Sequence, residues 1–184
     1  MNKTNQKITI ALLAVVIGVF ISSSAWAVDY GNIYVVQIKG TAVGEMREVP
    51  DIDGDGKPDK ANCFDVDLID PTTNLVIGTA TDCLSKVTPV GDGLALIGTT
   101  YFNFKEGTLV VRGKTSVQPK THGSEPSTHI TGGIPSPGAN NVLYGTGIFE
   151  GATGSVRLSG AVNMSKFKDK GEISFDCIFI ITLD

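Results

Sequence analysis

Histidine, tryptophan and clustered basic charge are all scarce in this sequence. Only two histidines are present, His122 and His129, which leaves little material for a histidine metal centre or a catalytic triad. The basic residues form no run, and 19 acidic residues outnumber 15 basic ones, which argues against binding to nucleic acid or to an anionic membrane surface. Beyond the first 27 residues no apolar stretch approaches the roughly 20 residues that span a bilayer.

The N-terminus has the organisation of a secretory signal peptide. Two early lysines precede an apolar run at residues 8–20, and the A-W-A at residues 25–27 fits a cleavage site before Val28. The alternative is an uncleaved membrane anchor, for which this apolar run of about 13 residues is short. We therefore predict a signal peptide at 1–27 and one exported domain at 28–184, periplasmic or extracellular, with no stable membrane anchor after cleavage.

The exported part shows the patterns of β-strands and not of helices. Residues 63–69 alternate strictly, with Phe64, Val66 and Leu68 on one face and two aspartates on the other. Similar β-rich runs occupy residues 32–39, 75–83, 94–104, 108–117, 142–164 and 172–183, with turns between them. About eight antiparallel strands joined by short turns predict an all-β closed barrel or a sandwich. Residues 118–141 are predicted to form a long exposed loop with a short extended stretch at 128–131.

An acidic loop at residues 51–59 reads D-I-D-G-D-G-K-P-D. Its candidate ligands for a cation are the carboxylates of Asp51, Asp53, Asp55 and Asp59 and the backbone carbonyl of Lys57. Calcium prefers six to eight hard oxygens in a flexible geometry, which such a loop supplies. An EF-hand is excluded, because Asn62 stands where the bidentate glutamate would be and the flanks are strand-like. The loop resembles the shorter D-x-D-G-D-G-x-x-D calcium loop of integrin-type FG-GAP repeats.

We therefore expect a structural calcium ion at this loop. The alternatives are a solvated acidic turn without an ion, and magnesium or another hard cation in place of calcium. Four aspartates converging on one turn would repel one another without a cation.

Three cysteines lie in the exported part, where a disulfide is expected. If residues 63–83 form a hairpin with its turn near Thr72 or Thr73, directly opposed residue numbers add to about 145 or 146. The numbers of Cys63 and Cys83 add to 146, so the two residues should face each other and a disulfide across the two strands is predicted. Cys177 would then be a buried free thiol; the alternative is a bond between Cys177 and one of the other two.

A glycine-rich segment at residues 145–158, G-T-G-I-F-E-G-A-T-G-S-V-R-L, resembles the signature turn of the allene oxide cyclase family. The family's I-T-G-G stands at residues 130–133, separated here by an insertion, and residues 101–104 and 107–113 resemble its aromatic strand and following G-x-x-x-V-x-G. Dirigent proteins share this barrel. The resemblance implies a secreted, bacterial-type member with a single eight-stranded antiparallel β-barrel and an apolar central cavity, often assembled as a homo-oligomer. Within the turn, Ile148 and Phe149 are predicted to plug one end of the barrel.

The catalytic residues of the plant cyclases are not retained. In their first-strand run Y-V-Y-E-I-N the glutamate corresponds to Gln37 here and the asparagine to Lys39. A neutral amide cannot supply the negative charge that steers a cationic intermediate. The resemblance therefore implies the scaffold without the cyclase constellation, and the catalytic residues, if there are any, stay unknown.

We therefore predict a calcium-stabilised barrel that binds a small hydrophobic ligand or a partner without catalysis. The alternatives are an isomerase or cyclase of altered specificity and dirigent-like guidance of a reactive intermediate. The candidate cavity residues are Gln37, Tyr101, Asn103 and Arg112. Strand alternation places Tyr101 and Asn103 on one face and the neighbouring phenylalanines on the other, so only one of the two sets can point inward.

Overall fold

A computed structural model describes residues 32–119, 128–135 and 140–184. The predicted signal peptide at 1–27 lies outside the described residues, as does part of the predicted loop at 118–141. The strands are β1 (Ile33–Val43), β2 (Glu45–Val49), β3 (Asp59–Asp70), β4 (Leu75–Val90), β5 (Gly93–Phe104), β6 (Gly107–Pro119), β7 (Thr128–Gly133), β8 (Val142–Gly145), β9 (Gly154–Asn163) and β10 (Glu172–Leu183). A 3-10 helix at Gly147–Phe149 and a short helix α1 (Phe167–Lys170) complete the described elements. None of the described helices is long and apolar enough to cross a membrane.

Eight of these strands close into an antiparallel barrel, which confirms the predicted fold class. The ring runs in the order β1, β10, β9, β7, β6, β5, β4 and β3, and it closes where β1 pairs with β3 from Gln37 opposite Ile69 to Lys39 opposite Asp67. Strand β2 pairs with β3 beyond that closure, and β8 pairs with β6. The extended stretch expected near 128–131 is part of β7, which pairs with β6 and β9 and is a member of the ring.

Alternating side chains explain why the strands close on themselves. In β10 the buried and exposed side chains alternate. The buried ones are Ile173, Phe175, Cys177, Phe179 and Ile181, and the exposed ones between them are Asp176, Ile178 and Ile180. This period of two places one apolar face of each strand toward a common interior. A barrel removes the unpaired edges that an open sheet of this kind would present.

The hairpin turn between β3 and β4 forms where the composition predicts it. Asp70 is fully buried, and its two carboxylate oxygens accept hydrogen bonds from the Thr72 backbone N–H at 2.8 Å and the Thr73 hydroxyl at 2.9 Å. Asn74 takes a positive φ of 56°, a conformation that asparagine tolerates better than most residues. The turn places Asp70 opposite Leu75, and an irregularity between Leu68 and Ile69 shifts the pairing of β3 with β4 by one residue beyond it.

Aromatic side chains plug one end of the barrel. Phe149 of the 3-10 helix is buried, and its ring centroid lies 5.7 Å from that of Tyr34 and 5.3 Å from that of Phe104. The glycine-rich turn makes this possible because a Cβ at Gly145 would overlap the carbonyl oxygen of Phe149. Of the two residues predicted to plug the barrel, Phe149 does so, whereas Ile148 is 57% exposed.

Candidate functional site

A cavity of about 130 Å³ occupies the half of the barrel away from the Phe149 plug. Its wall is mainly apolar and includes Leu84, Leu96, Val117, Val162 and Ile173. On the plugged side it ends at Phe179, whose ring packs edge-on against Phe102 at 5.0 Å between centroids.

The mouth of the cavity lies at the opposite end of the barrel. Val87, Ile134 and Phe167 border the cavity and are 52%, 82% and 37% exposed, respectively. The cavity therefore extends from fully buried side chains to the protein surface.

One carboxyl group, that of Asp82, stands in this apolar wall. Asp82 is only 8% exposed, and its Oδ1 accepts a hydrogen bond from the Thr100 hydroxyl at 2.7 Å. Within the described residues, Oδ2 of Asp82 has no hydrogen bond, whereas every fully buried side-chain oxygen has a partner. Oδ2 is therefore not fully buried, and it opens onto the cavity that Asp82 borders.

Burial changes the acid–base behaviour of two ionisable groups on this wall, Asp82 and Cys177. Desolvation raises the pKa of Asp82 to about 6, and the hydrogen bond from Thr100 offsets part of that rise. Desolvation, together with the nearby Asp82 carboxylate, raises the pKa of the Cys177 thiol to about 12. At neutral pH the cavity therefore contains a mainly ionised Asp82 beside a neutral thiol.

Three of the four residues predicted to line the cavity do not border it. Gln37 lies on the outer face, where its Nε2 donates a hydrogen bond to Oδ1 of Asp176 at 2.5 Å. Asn103 accepts a hydrogen bond from the Thr108 hydroxyl at 3.1 Å, also away from the cavity. Tyr101 packs outside the barrel against a second apolar cluster of Val49, Ala61, Cys63 and Cys83. The phenylalanines that alternate with these residues, Phe102 and Phe104, point inward instead.

Arg112 borders the cavity, but its guanidinium points outward. Its Nε donates to the Thr99 hydroxyl at 3.0 Å, and its two terminal nitrogens donate to the carbonyl oxygens of Pro50 at 2.5 Å and Asp51 at 2.7 Å. Arg112 therefore attaches the start of the acidic loop to the outer wall of the barrel.

In the acidic loop, the ligand oxygens of Asp51, Asp53 and Asp59 lie within 4.8 Å of one another and could hold a metal ion. Asp55, also predicted as a ligand, lies outside this group; its Oδ1 accepts the N–H of Lys57 at 2.8 Å. The position of the Lys57 carbonyl as a ligand stays a prediction.

Hydrogen bonds within the loop hold two of the carboxylates in place. Asp51 accepts the N–H groups of Gly54 and Gly56, both at 2.7 Å, and these bonds hold the pKa of Asp51 below its usual value. The Ile52 N–H does the same for Asp59 at 2.6 Å, with the Lys86 ammonium as the second cause. Gly54 and Gly56 take φ of +83° and +82°, which lets the chain curl around this point.

A lysine from the neighbouring strand reaches the same carboxylates. The Lys86 ammonium lies 3.0 Å from Asp59 and 3.3 Å from Asp53. Lys86 sits in an irregularity of the pairing between β4 and β5 and takes a positive φ of 49°. A metal ion held by the triad would therefore compete with the Lys86 ammonium for two of the three carboxylates.

The predicted disulfide between Cys63 and Cys83 is confirmed. The two residues are directly opposed in the pairing of β3 with β4, and Cys177 is a buried free thiol. A disulfide is compatible with export to an oxidising compartment.

Sequence reasoning missed Asp82, although the register argument for the cysteines contained the signal. The numbering that opposes Cys63 and Cys83 also opposes Phe64 and Asp82, as the structure has it. Phe64 belongs to the apolar face of its strand, so Asp82 had to share the inward face.

The chain matches no family model, and no curated protein is significantly similar to it in sequence.

Proposed function

We propose that this protein is an exported, non-catalytic β-barrel of the allene oxide cyclase-like and dirigent type that binds a small, mainly apolar molecule in its cavity. The observation that carries the proposal is the apolar cavity of about 130 Å³ that opens at one end of the barrel. Cavities of about 150 Å³ lined by aliphatic and aromatic side chains bind benzene in other proteins. A ligand body of about one ring therefore matches the space available.

A cavity-filling substitution tests this proposal. Gly113 borders the cavity, and a Cβ there would have only one neighbour within 4 Å, at 3.8 Å. Gly113→Val should reduce toluene binding, measured by isothermal titration calorimetry, by about tenfold or more because the new side chain occupies ligand space. Ser116→Val is the matched control, since Ser116 is exposed on the outer face of the same strand and does not border the cavity. Equal toluene affinity in both variants, or none in the unaltered protein, would refute the proposal.

An isomerase or cyclase activity is the second candidate, and Asp82 is the observation that favours it. A buried carboxylate with a pKa of about 6 at a cavity is suited to proton abstraction near neutral pH. As a base, Asp82 would take a proton from a carbon next to a carbonyl, leaving an enolate. The carboxyl proton would then exchange with D₂O, and Asp82 would return a deuteron to the enolate carbon.

Deuterium incorporation distinguishes this activity from simple binding. A small cyclic ketone incubated with the protein in D₂O should exchange its α-protons faster than in buffer, and Asp82→Asn should abolish the acceleration. An exchange rate equal to that of buffer would leave the non-catalytic proposal and dirigent-like guidance, which needs no acid–base group.

We further propose that the cation held by the acidic triad is calcium and that its role is structural. The donors are carboxylate oxygens on a loop with two positive-φ glycines, a set suited to a hard cation that accepts flexible geometry. Asp51 and Asp53 of the loop and Asp59, the first residue of β3, would hold the calcium, which would stabilise the loop against β3.

Calcium binding is tested by thermal unfolding with and without calcium. Asp53→Asn should abolish the rise in Tm that calcium produces, because Asp53 belongs to the triad. Asp55→Asn is the comparison, since Asp55 lies outside the triad and should retain most of the rise. Lys86→Met should increase the calcium affinity by removing the competing ammonium. A Tm that calcium and EDTA both leave unchanged would contradict a bound ion.

A further inference from the structure

The environment of Asp82 restricts the chemistry of the ligand more closely than the cavity size does. Asp82 is 8% exposed and has one hydrogen bond, from Thr100 to Oδ1, whereas Oδ2 opens onto the cavity. A carboxylate removed from water is costly unless it is paired and hydrogen-bonded. Within the described part of the chain Oδ2 therefore has no partner, and a bound molecule would supply one.

The barrel itself offers no positive charge to this carboxylate among the residues described. Three charged residues border the cavity, Asp82, Arg112 and Lys114. Arg112 is engaged with the acidic loop, and Lys114 is exposed on the same outward side of β6. Among the described residues no cation is therefore in place to pair with Oδ2, and a bound ligand can supply the compensating charge.

We propose that the cavity takes a small cationic amine with an apolar body of about one ring, and that Asp82 binds its ammonium group. The apolar wall packs against the ring, and the ammonium donates to Oδ2 of Asp82 while Thr100 continues to hold Oδ1. This inference rests on the proposed ligand-binding function and names the ligand class of the same cavity.

Three probes of nearly equal shape test the inference: benzylamine, benzyl alcohol and toluene. Calorimetric titration at about pH 7.5 should give benzylamine an affinity about tenfold or more above that of toluene, as expected for a hydrogen bond to a buried charge, with benzyl alcohol between them. Asp82→Asn should reduce the preference for benzylamine to within about twofold. Asp67→Asn, an exposed aspartate of β3, is the control and should leave the preference unchanged.

The outcomes separate this inference from the proposed function. Toluene binding with no preference for benzylamine would overturn the inference and leave the binding function intact. A preference retained in Asp82→Asn would overturn the role of Asp82. Binding of none of the three probes would overturn both the inference and the proposed function.

A pH titration of the unaltered protein tests the same point without a substitution. Asp82 faces Phe64 of β3, Thr100 of β5 and Cys177 of β10, and of these three only the Cys177 thiol titrates, with a pKa near 12. Lowering the pH from about 7.5 to about 5 protonates Asp82 while benzylamine stays cationic, so the preference should fall several-fold. A preference that is constant over this range would overturn the inference.

Discussion

Asp82 is the residue at which stability and binding conflict. The apolar interior favours its protonated form, whereas a cationic ligand requires the carboxylate. Because the folded protein holds this proton more tightly than the unfolded chain, Asp82 contributes stability at low pH that is lost as the pH rises from about 4 through about 6. The full loss corresponds to about 3 kcal/mol.

Asp82→Asn should therefore stabilise the protein at neutral pH relative to the unaltered chain. The amide oxygen can still accept the hydrogen bond from Thr100, and no charge is buried. Urea unfolding from pH 4 to pH 7 should show the variant gaining up to about 3 kcal/mol on the unaltered protein. Asp67→Asn should show no such gain, and parallel stability curves for Asp82→Asn and the unaltered protein would contradict the buried-charge argument.

At the scale of elements, the segment from β2 through the acidic loop covers the outer face of β3, β4 and β5. The cover consists of Val49 and Ile52, which pack over the Cys63–Cys83 disulfide and Tyr101. Arg112 fastens the loop from the neighbouring strand β6. The barrel thus carries a second, smaller apolar cluster outside its wall, and polar bonds hold its cover in place.

Removal of this fastening should loosen the loop without opening the barrel. Arg112→Met keeps much of the side-chain packing and loses the hydrogen bonds to the carbonyls of Pro50 and Asp51, at a cost of about 1–3 kcal/mol. Hydrogen exchange should accelerate at the amides of Gly54 and Gly56, whereas that of β10 should change little. Equal acceleration in the loop and in β10 would show that Arg112 supports the barrel as a whole.

At the scale of the whole molecule, the barrel is divided into a plugged half and a hollow half. Phe149 is 2% exposed between Tyr34 and Phe104, and the cavity begins beyond Phe179. The plug contributes packing energy, and the hollow half leaves space for a ligand at some expense of stability.

Phe149→Ala should destabilise the barrel by about 3–5 kcal/mol, because it leaves a void among aromatic rings. Ile148→Ala is the matched control on the adjacent residue, which is 57% exposed, and should change stability by no more than about 0.5 kcal/mol. Thermal unfolding of the two variants measures the difference. Similar Tm values would show that the plug does not stabilise the barrel.

Several features of this protein follow from local sequence alone. Strict alternation in segments such as residues 63–69 predicts strands, and the D-P-T-T-N turn predicts where β3 meets β4. That turn predicts the pairing to within one residue, and from it the Cys63–Cys83 disulfide is predicted; a shift in the pairing between Leu68 and Ile69 places the two cysteines directly opposite each other. The D-x-D-G-D-G-x-x-D spacing likewise predicts a convergence of carboxylates, and three of them do converge.

Only the tertiary structure decided which face of each strand points inward. Alternation requires Tyr101 and Asn103 to share a face but does not say which face, and the closure of β1 on β3 places them outside. The position of Lys86 beside the triad depends on an irregular pairing between β4 and β5, which no local sequence pattern predicts. The binding chemistry of the cavity likewise depends on Asp82, because its pKa follows from burial, and burial exists only once the barrel has closed.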